Sequence, residues 1–525
     1  MTDMTWGPTT LAAVLRQSAA EAPRADALVH EAARLSREQL ARLSARLARA
    51  LLANGVRRGQ VVATFMPNGF EWAALFCALG KIGAAAVPIN IRYQAPEMAY
   101  VLEQCGAELL VCAARHRDRD LTATITEAVS IAKTPRVVVM GGTVSAGQTR
   151  STWDTFLEAG ESLPAEALAN AAAAVDEHDL LLVQYTSGTT AFPKGVELRQ
   201  GQLLRSGRAM ASRLGLGSED RFFSPMPFFH IGGSTASLIT ALVSGATLVF
   251  QDQFDAAGAL EALERERCTC ACGVDTMFVD MLAQPGFDAK KLCVRTGWTL
   301  YNAAVFAAFP GMMQVYALSE CSSVVTICDW RDPFERRRDT CGYPIEGTEV
   351  RIVDIESLAP LPPDTPGRIL VRGWCTTSGY FRQPEQTAHL LIDDRWLDTG
   401  DYGRVLESGD LIFMGRLKDV LRVGGENVAS AEVEAVLNAH PAVLRSAVVP
   451  LPHPRLKEVP LAFVQLRPGS EVSAQALSDH CASRLAPFKV PRQVEFVSAF
   501  TMTESGKIIK RTLVEQVQRT ARASA

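Results

Sequence analysis

The densest run of chemically capable side chains is Thr186-Ser187-Gly188-Thr189-Thr190-Ala191-Phe192-Pro193-Lys194-Gly195. Four hydroxyls, two glycines and one lysine fall within ten residues. Hydroxyls, backbone N–H groups and an ammonium are the donors a polyphosphate requires. A Ser/Thr/Gly cluster alone reads as a polar turn, but the lysine and the length of the pattern favour phosphate binding. No G-K-[ST] follows, so this is not the common nucleotide P-loop. Elsewhere, His230 follows Phe228-Phe229 and suits a packed imidazole as well as a reactive one. Thr399-Gly400-Asp401 is a good turn spelling whose carboxylate could also accept hydrogen bonds. Cys268-Thr269-Cys270-Ala271-Cys272 resembles a metal cluster, but strand alternation would set all three sulfurs on one face. Zinc sites usually show C-x2-C spacing, so we expect these cysteines to be small core residues.

The elements around these residues alternate. Ser36 with Gln39 spells a capping box before Leu40, Leu43, Leu47 and Leu51 at helical spacing, and Asn54-Gly55 supplies the stop. Residues 61–65 read as a buried strand ended by Pro67-Asn68-Gly69, and a helix through Trp72, Leu75, Phe76 and Leu79 follows. Strands at 85–89 and 109–112 flank a short helix over 96–104, and 158–178 is an Ala-rich acidic helix or linker. Residues 180–185 form the strand that enters the hydroxyl-rich loop. Such alternation implies parallel sheet in an α/β architecture. Near the C-terminus we expect helices from Ala431 and Ala474 and strands near 447–449, 461–466 and 494–497, a small α+β unit.

With 525 residues the chain is too long for one core at roughly 100–200 residues per domain. Hydrophobic residues at 48% and charged residues at 21% are the balance of a globular protein, not a disordered one. A net charge of −4 excludes a generally basic nucleic-acid binder. No uncharged apolar run reaches the 18 or so residues of a membrane span, and the N-terminus lacks the pattern of a secretory signal. The 12 scattered Cys do not resemble a disulfide scaffold, so we expect a reduced, cytoplasmic enzyme.

The 186–195 loop resembles the signature loop of the adenylate-forming superfamily, which contains acyl-CoA synthetases, luciferases and peptide-synthetase adenylation domains. Four further stretches resemble that family's motifs, in its order. They are Tyr316-Ala317-Leu318-Ser319-Glu320; Trp396-Leu397-Asp398-Thr399-Gly400-Asp401; Gly415-Arg416-Leu417-Lys418-Asp419 with Gly424-Gly425-Glu426-Asn427; and Thr503-Glu504-Ser505-Gly506-Lys507-Ile508. The resemblance covers nearly the whole chain and is strongest to medium- and long-chain acyl-CoA synthetases. It implies a large N-terminal domain over 1–417 of layered α/β subdomains, binding ATP and acid, and a mobile α+β domain over 418–525. It implies two half-reactions: a carboxylic acid and Mg-ATP give acyl-adenylate and pyrophosphate, then a thiol, usually that of CoA, displaces AMP. Thr186, Ser187, Gly188, Thr189, Thr190 and Lys194 would cradle phosphates, with Tyr316 and Ser319 on the ATP side. Glu320 would hold Mg²⁺, and Asp401 with Arg416 would take the ribose. His230, Gly297, Trp298 and Thr299 would border the acid. Lys507 would serve the first step, Lys418 would be the hinge, and Gly424, Gly425 and Glu426 would face CoA.

Three departures stand out. Ala191 and Ala317 replace glycines of the family pattern; Trp298 and Tyr301 stand where the family has a Gly/Ala/Pro-rich stretch; and the segment 297–316 is several residues short. These departures motivate one alternative, a catalytically weak adenylate-binding protein, against which the intact Lys194, Glu320, Asp401, Arg416 and Lys507 argue. A second alternative keeps adenylation but loads the phosphopantetheine of an acyl carrier protein.

Overall fold

The computed structural model describes residues 7–134, 136–143, 149–186, 193–393, 395–424, 426–502 and 508–523. Ser187, Gly188, Thr189, Thr190, Ala191, Gly425 and Lys507 lie outside the described residues.

Val61–Phe65 is buried along its whole length, the continuous apolar run of a strand covered on both faces. It pairs in parallel with Ala85–Pro88 and Leu109–Ala113. Leu109–Ala113 continues to Arg136–Met140 and Thr149–Thr152, while Ala85–Pro88 meets Leu180–Thr186, which turns back antiparallel into Lys194–Arg199. This is a seven-stranded sheet. A nine-stranded sheet carries Thr247–Phe250, Arg221–Ser224, Cys270–Cys272, Thr296–Thr299 and Met312–Leu318 as consecutive parallel neighbours. One core joins the two sheets: Val62, Val111 and Leu182 from the first and Phe222, Cys272 and Met313 from the second belong to the same buried cluster. The helices Leu11–Glu21, Arg37–Ala53, Phe70–Lys81 and Gln200–Leu214 contribute to it too. The expected capping box forms, with Gln39 N–H donating to Ser36 Oγ and Ser36 N–H to Gln39 Oε1.

A third sheet of five strands is built on Gly367–Gly373, Trp396–Val405 and Leu411–Arg416. A fourth, also five-stranded, holds Val420–Val423, Glu426–Ala429, Val443–His453, Lys457–Leu466 and Gln493–Phe496. The turn Leu417–Asp419 is the whole connection between them. Helices Ser430–Asn438 and Ala474–Ala482 pack on the fourth sheet, matching the expected α+β unit. The chain is thus a set of layered α/β sheets followed by a small α+β body. Among the described residues no helix is long and apolar enough to cross a membrane.

One expectation needs correction. The strand in the cysteine run begins only at Cys270, so Cys268 is not in its alternation. Cys270 and Cys272 join the core between the sheets, while Cys268 packs into the cluster on the opposite face. Burial pushes the Cys268 and Cys272 thiols up to about 12, the state of structural cysteines rather than metal ligands. After Gly273 the chain enters the helix Asp275–Leu282. Its buried Met277, Phe278 and Met281 satisfy a helical period that six residues of sequence are too few to reveal.

Candidate active site

Parallel strands deliver their loops to one edge, the usual place for a ligand crevice. Here the loops of both large sheets are tied together by Asn68. Its Nδ2 donates to the carbonyls of Met226 (3.0 Å) and Gln251 (2.9 Å), and its Oδ1 accepts from Phe228 N–H (2.6 Å). Gln184 Nε2 donates to Phe229 O at 2.9 Å. These two buried amides fix the loop that leads into His230, the N-cap residue of a helical stretch beginning at Ile231. Neither amide is singled out by the sequence, where Asn68 reads only as a turn residue.

Lys194 opens the strand that leaves the hydroxyl-rich loop, and Thr186 closes the strand that enters it. Opposite that strand, Phe381 N–H donates to Gly195 O (2.7 Å) and Val196 bridges Tyr380. Tyr380 therefore comes to lie beside Lys194, whose Nζ sits 5.0 Å from the centre of its ring, a cation–π contact. The Tyr380 hydroxyl donates to Glu320 Oε1 at 3.2 Å. Burial, then the nearby Glu320 charge, raises the Tyr380 phenol above its ordinary range, so it stays a donor. Ser319 and Glu320 stand in the short turn Ser319–Cys321, fastened by Thr377 N–H donating to Glu320 O at 2.8 Å. One tyrosine, absent from the sequence expectations, thus joins the loop lysine to the acid of the second motif. Only the Gly379-Tyr380 step two residues past Thr377 hints at it.

The second group is built by strand register. Asp401 and Arg416 are direct cross-strand partners in the third sheet. Arg416 Nη1 lies 3.0 Å from Asp401 Oδ1 and also donates to Thr399 O at 3.2 Å. The Tyr316 hydroxyl donates to Asp401 Oδ2 at 2.6 Å, and the Tyr316 ring stands 5.6 Å from Phe413, whose side chain is exposed. Burial, reinforced by the Asp401 charge, holds the Tyr316 phenol protonated well above its usual range. The Asp401 side chain is only 2% exposed and that of Arg416 45%, so a buried carboxylate is presented through a half-open guanidinium.

Of the four residues expected at the acid, the consecutive Gly297, Trp298 and Thr299 do not share a face. Trp298 lies in the core between the sheets, beside Cys272 and Met313. Gly297 points the other way: a Cβ there would stand 2.0 Å from Ala271 O and 2.6 Å from Met312 Sδ, so close strand approach requires glycine. Thr299, by alternation, shares the Gly297 side. Tyr301 is 43% exposed and lines a cleft of about 630 Å³ together with Leu300, Phe413, Glu432 and Ala435. Lys418 is exposed in the turn between the third and fourth sheets. Gly424, at φ +61°, turns the hairpin that ends at Glu426, a conformation glycine adopts without strain. The hairpin packs beside residues 354–366, with Arg422 Nη1 3.3 Å from Glu356. Met502 and Ile508, the described residues on either side of the lysine motif, bridge each other. Met502 lines a cleft of about 710 Å³ with Pro227 and Phe229, next to His230.

Among the described residues no three His, Cys, Asp or Glu gather as metal ligands. A magnesium ion carried on a polyphosphate needs only one or two carboxylates, with phosphate oxygens and waters completing the shell. Glu320, half-buried and holding one tyrosine hydroxyl beside Lys194, fits that requirement.

The family model described as AMP-binding enzyme matches residues 15–381, and that of the AMP-binding enzyme C-terminal domain matches residues 432–507. The chain belongs to the AMP-binding enzyme family. This AMP-binding enzyme is 34% identical over 516 residues to a 3-[(3aS,4S,7aS)-7a-methyl-1,5-dioxo-octahydro-1H-inden-4-yl]propanoyl:CoA ligase of Mycobacterium tuberculosis, covering 96% of this chain and 98% of the relative. It is 29% identical over 551 residues to the human mitochondrial medium-chain acyl-CoA ligase ACSF2, covering 97% and 88%. Among solved structures it resembles the anthranilate CoA ligase AuaEII in complex with anthranoyl-AMP, with a TM-score of 0.87, 26% identity and 98% coverage of each chain. It is an ATP-using, adenylate-forming ligase of the acyl-CoA synthetase type.

Proposed function

We propose that this enzyme joins a carboxylic acid to CoA in two steps, through an acyl-adenylate with release of pyrophosphate and then AMP. The observation that carries the reading is the Tyr380 junction, which sets an ammonium (Lys194) and a carboxylate (Glu320) on one ring at the mouth of the phosphate loop. In this reading Lys194 neutralises the β- and γ-phosphates, and Glu320 holds Mg²⁺, a hard cation that offsets polyphosphate charge when bound. Asp401, faced by Arg416 and Tyr316, accepts from the ribose hydroxyls. His230, held in place through Asn68 and Gln184, borders the acid carboxylate. Lys507 brings a point charge between the carboxylate and the α-phosphate, where negative charge crowds in the transition state.

The chain divides functionally at 417/418, and the body beyond it pivots at Lys418 so that Gly424, Gly425 and Glu426 replace Lys507 at the site for thiol attack. The exposed turn Leu417–Asp419 as the sole covalent link between two sheets supports this. CoA is preferred to a carrier-protein arm as acceptor because the relatives at 34% and 29% identity are CoA ligases. The test is pyrophosphate release over a panel of acids, with and without CoA. Lys507→Ala should lower acid-dependent release by about 100-fold or more, yet still convert a synthetic acyl-adenylate and CoA to thioester. Equal loss of both steps would defeat the two-orientation reading.

A further inference from the structure

The small body beyond residue 417 meets the large one through a local irregularity in one of its strands. In Val443–His453, Val443 pairs with Leu466 and Arg445 with Gln465, which leaves Leu444 as the extra residue of a β-bulge. Val443 is buried in the core of the small body. Leu444 instead packs against the large body's cluster that holds Phe278, Met281 and Phe309. Its neighbour Arg445 reaches the helix Asp275–Leu282 of the large body, with Nη2 3.1 Å from Asp280 Oδ1. One apolar knob and one ion pair thus join the two bodies at a single helix.

This contact belongs to one orientation of the small body. The backbone on each side of the connecting turn is fastened to its own body. Arg416 lies 3.0 Å from Asp401 in the third sheet, and Asp419 O accepts from Ser430 Oγ at 2.7 Å. Turning is confined to Leu417 and Lys418, so Leu444 and Arg445 must leave Phe278 and Asp280 when the small body moves. A leucine directed out of its own core then returns apolar surface to water. A second ion pair across the bodies, Arg422 to Glu356, has side chains 56% and 78% exposed and is screened by water. In the Arg445–Asp280 pair they are 22% and 51% exposed. Met502, just before the lysine motif, lines the same cleft as Asp280 and Arg445, beside Phe229. The contact therefore stands where the lysine segment is delivered.

We infer that the bulge at Leu444 and Arg445 is a dock, with the helix Asp275–Leu282 as its receiver, and that its strength sets how the enzyme divides its time between the two half-reactions. Leu444, Arg445 and Asp280 are positioning residues that act through the placing of Lys507. This rests on the pivoting, two-step reading above and names what holds its first orientation.

The full chain is measured in two single-turnover assays, using the fastest acid of the panel above. One follows acid-dependent pyrophosphate release, the other thioester formation from the chemically made acyl-adenylate and CoA. Each rate follows the share of its own orientation, so the ratio of first to second rate changes by the full factor whatever the starting balance. Arg445→Glu replaces attraction by repulsion and should lower that ratio about 3- to 30-fold. Leu444→Ser removes the apolar knob and should lower it about 3- to 10-fold. Asp280→Arg combined with Arg445→Glu restores the pair with its signs exchanged, and should return the ratio to within about threefold of wild type. A merely structural role would lower both rates together. Equal loss of both steps, an unchanged ratio in Arg445→Glu, or an exchange that rescues nothing overturns the inference. Should Leu444→Ser fail to fold, the charge variants decide alone. Pyrophosphate release from no acid of the panel, or equal loss of both steps in Lys507→Ala, overturns the two-step reading and this inference with it. Separation of the steps by Lys507→Ala with an unchanged ratio in Arg445→Glu overturns this inference alone.

Discussion

Asp401→Asn separates a structural role for the third-sheet carboxylate from a nucleotide-binding one. Asn is nearly isosteric, so the perturbation is the charge. In the free enzyme the carboxylate receives the Tyr316 hydroxyl at 2.6 Å and Arg416 at 3.0 Å. Making the first bond neutral costs about 1 kcal/mol, the gap between charge-assisted and neutral hydrogen bonds. The Arg416 pair is worth about 0.5–1 kcal/mol, because a guanidinium side chain that is 45% exposed is screened by water. Against these losses stands relief from burying a carboxylate only 2% exposed, which offsets part or all of them. The free protein should therefore lose about 1 kcal/mol or less. A ribose hydroxyl donating to the carboxylate is another charge-assisted bond, so by the same gap of about 1 kcal/mol ATP binding should weaken by about 5-fold for each such bond. Calorimetric titration with Mg-ATP, alongside thermal unfolding of the free enzyme, measures both quantities. A destabilised protein with unchanged ATP affinity would refute the reasoning and make Asp401 a strut for Tyr316. Combining the change with Arg416→Ala should be less than additive for ATP affinity, since the two side chains touch.

Other outcomes follow from the same geometry. Tyr380→Phe removes the bond to Glu320 but keeps the ring under Lys194, and should lower kcat/KM for ATP about 5- to 10-fold; Glu320→Gln should raise the Mg²⁺ concentration needed for half-maximal pyrophosphate release, and an unchanged Mg²⁺ titration in both would remove Glu320 from the site. Asn68→Ala deletes three buried bonds between the sheet edges and should destabilise the protein by about 2–4 kcal/mol in denaturant titration, with a lowered rate through the loosened His230 loop. Burial raises the Asp252 carboxyl, but bonds from His116 and Arg117 outweigh it and hold the group well below the usual carboxylate range. Its folded pKa lies under the unfolded value of about 3.9, so its stabilisation is complete above that pH and drains as pH falls through it. Asp252→Asn should flatten the acid limb of the stability curve below about pH 4 and leave its slope at higher pH unchanged.

What the sequence discloses of this site is whatever depends on residue type at short spacing. Lys194 after a run of hydroxyls, Glu320 after Tyr316, and Asp401 before Arg416 are all visible because each motif is local. The Asp401–Arg416 contact needs more than a hairpin: a one-residue register shift between Tyr402 and Gly403 sets Arg416 rather than Gly415 opposite Asp401. Groups that act across the fold leave no such mark. Asn68 reaches Met226 and Phe228 about 160 positions away, and Tyr380 reaches Glu320 across 60. Both look like turn or loop residues because their partners are fixed by sheet order rather than by chain neighbours. Alternation also misled where strand limits were unknown: Cys268 precedes its strand by two residues and so packs into a different core from Cys270. Gly297 and Trp298 are adjacent in sequence and for that reason face opposite ways.

Two local backbone rules are broken beside the site, and the breaks shape it. The ladder between Met312–Leu318 and Ser323–Ile327 shifts register between Tyr316 and Ala317, a bulge that re-aims the residues on either side of it. Tyr316 is thereby turned onto Asp401 while Glu320 is carried out on its own turn toward Tyr380. Ala317 keeps a negative φ at this bulge, so replacing the family glycine there incurs no left-handed strain. The strain falls instead just after Glu320. Ser322 and Ser323 adopt φ of 57° and 101° while buried, at a cost of about 1–3 kcal/mol each. Two fastenings hold the turn against it: Ser322 Oγ donates to Cys375 O at 2.7 Å, and Thr377 N–H to Glu320 O at 2.8 Å. Both come from the segment that carries Tyr380. The segment that offers Glu320 its hydroxyl partner is thus the same one that fastens the strained turn beside Glu320.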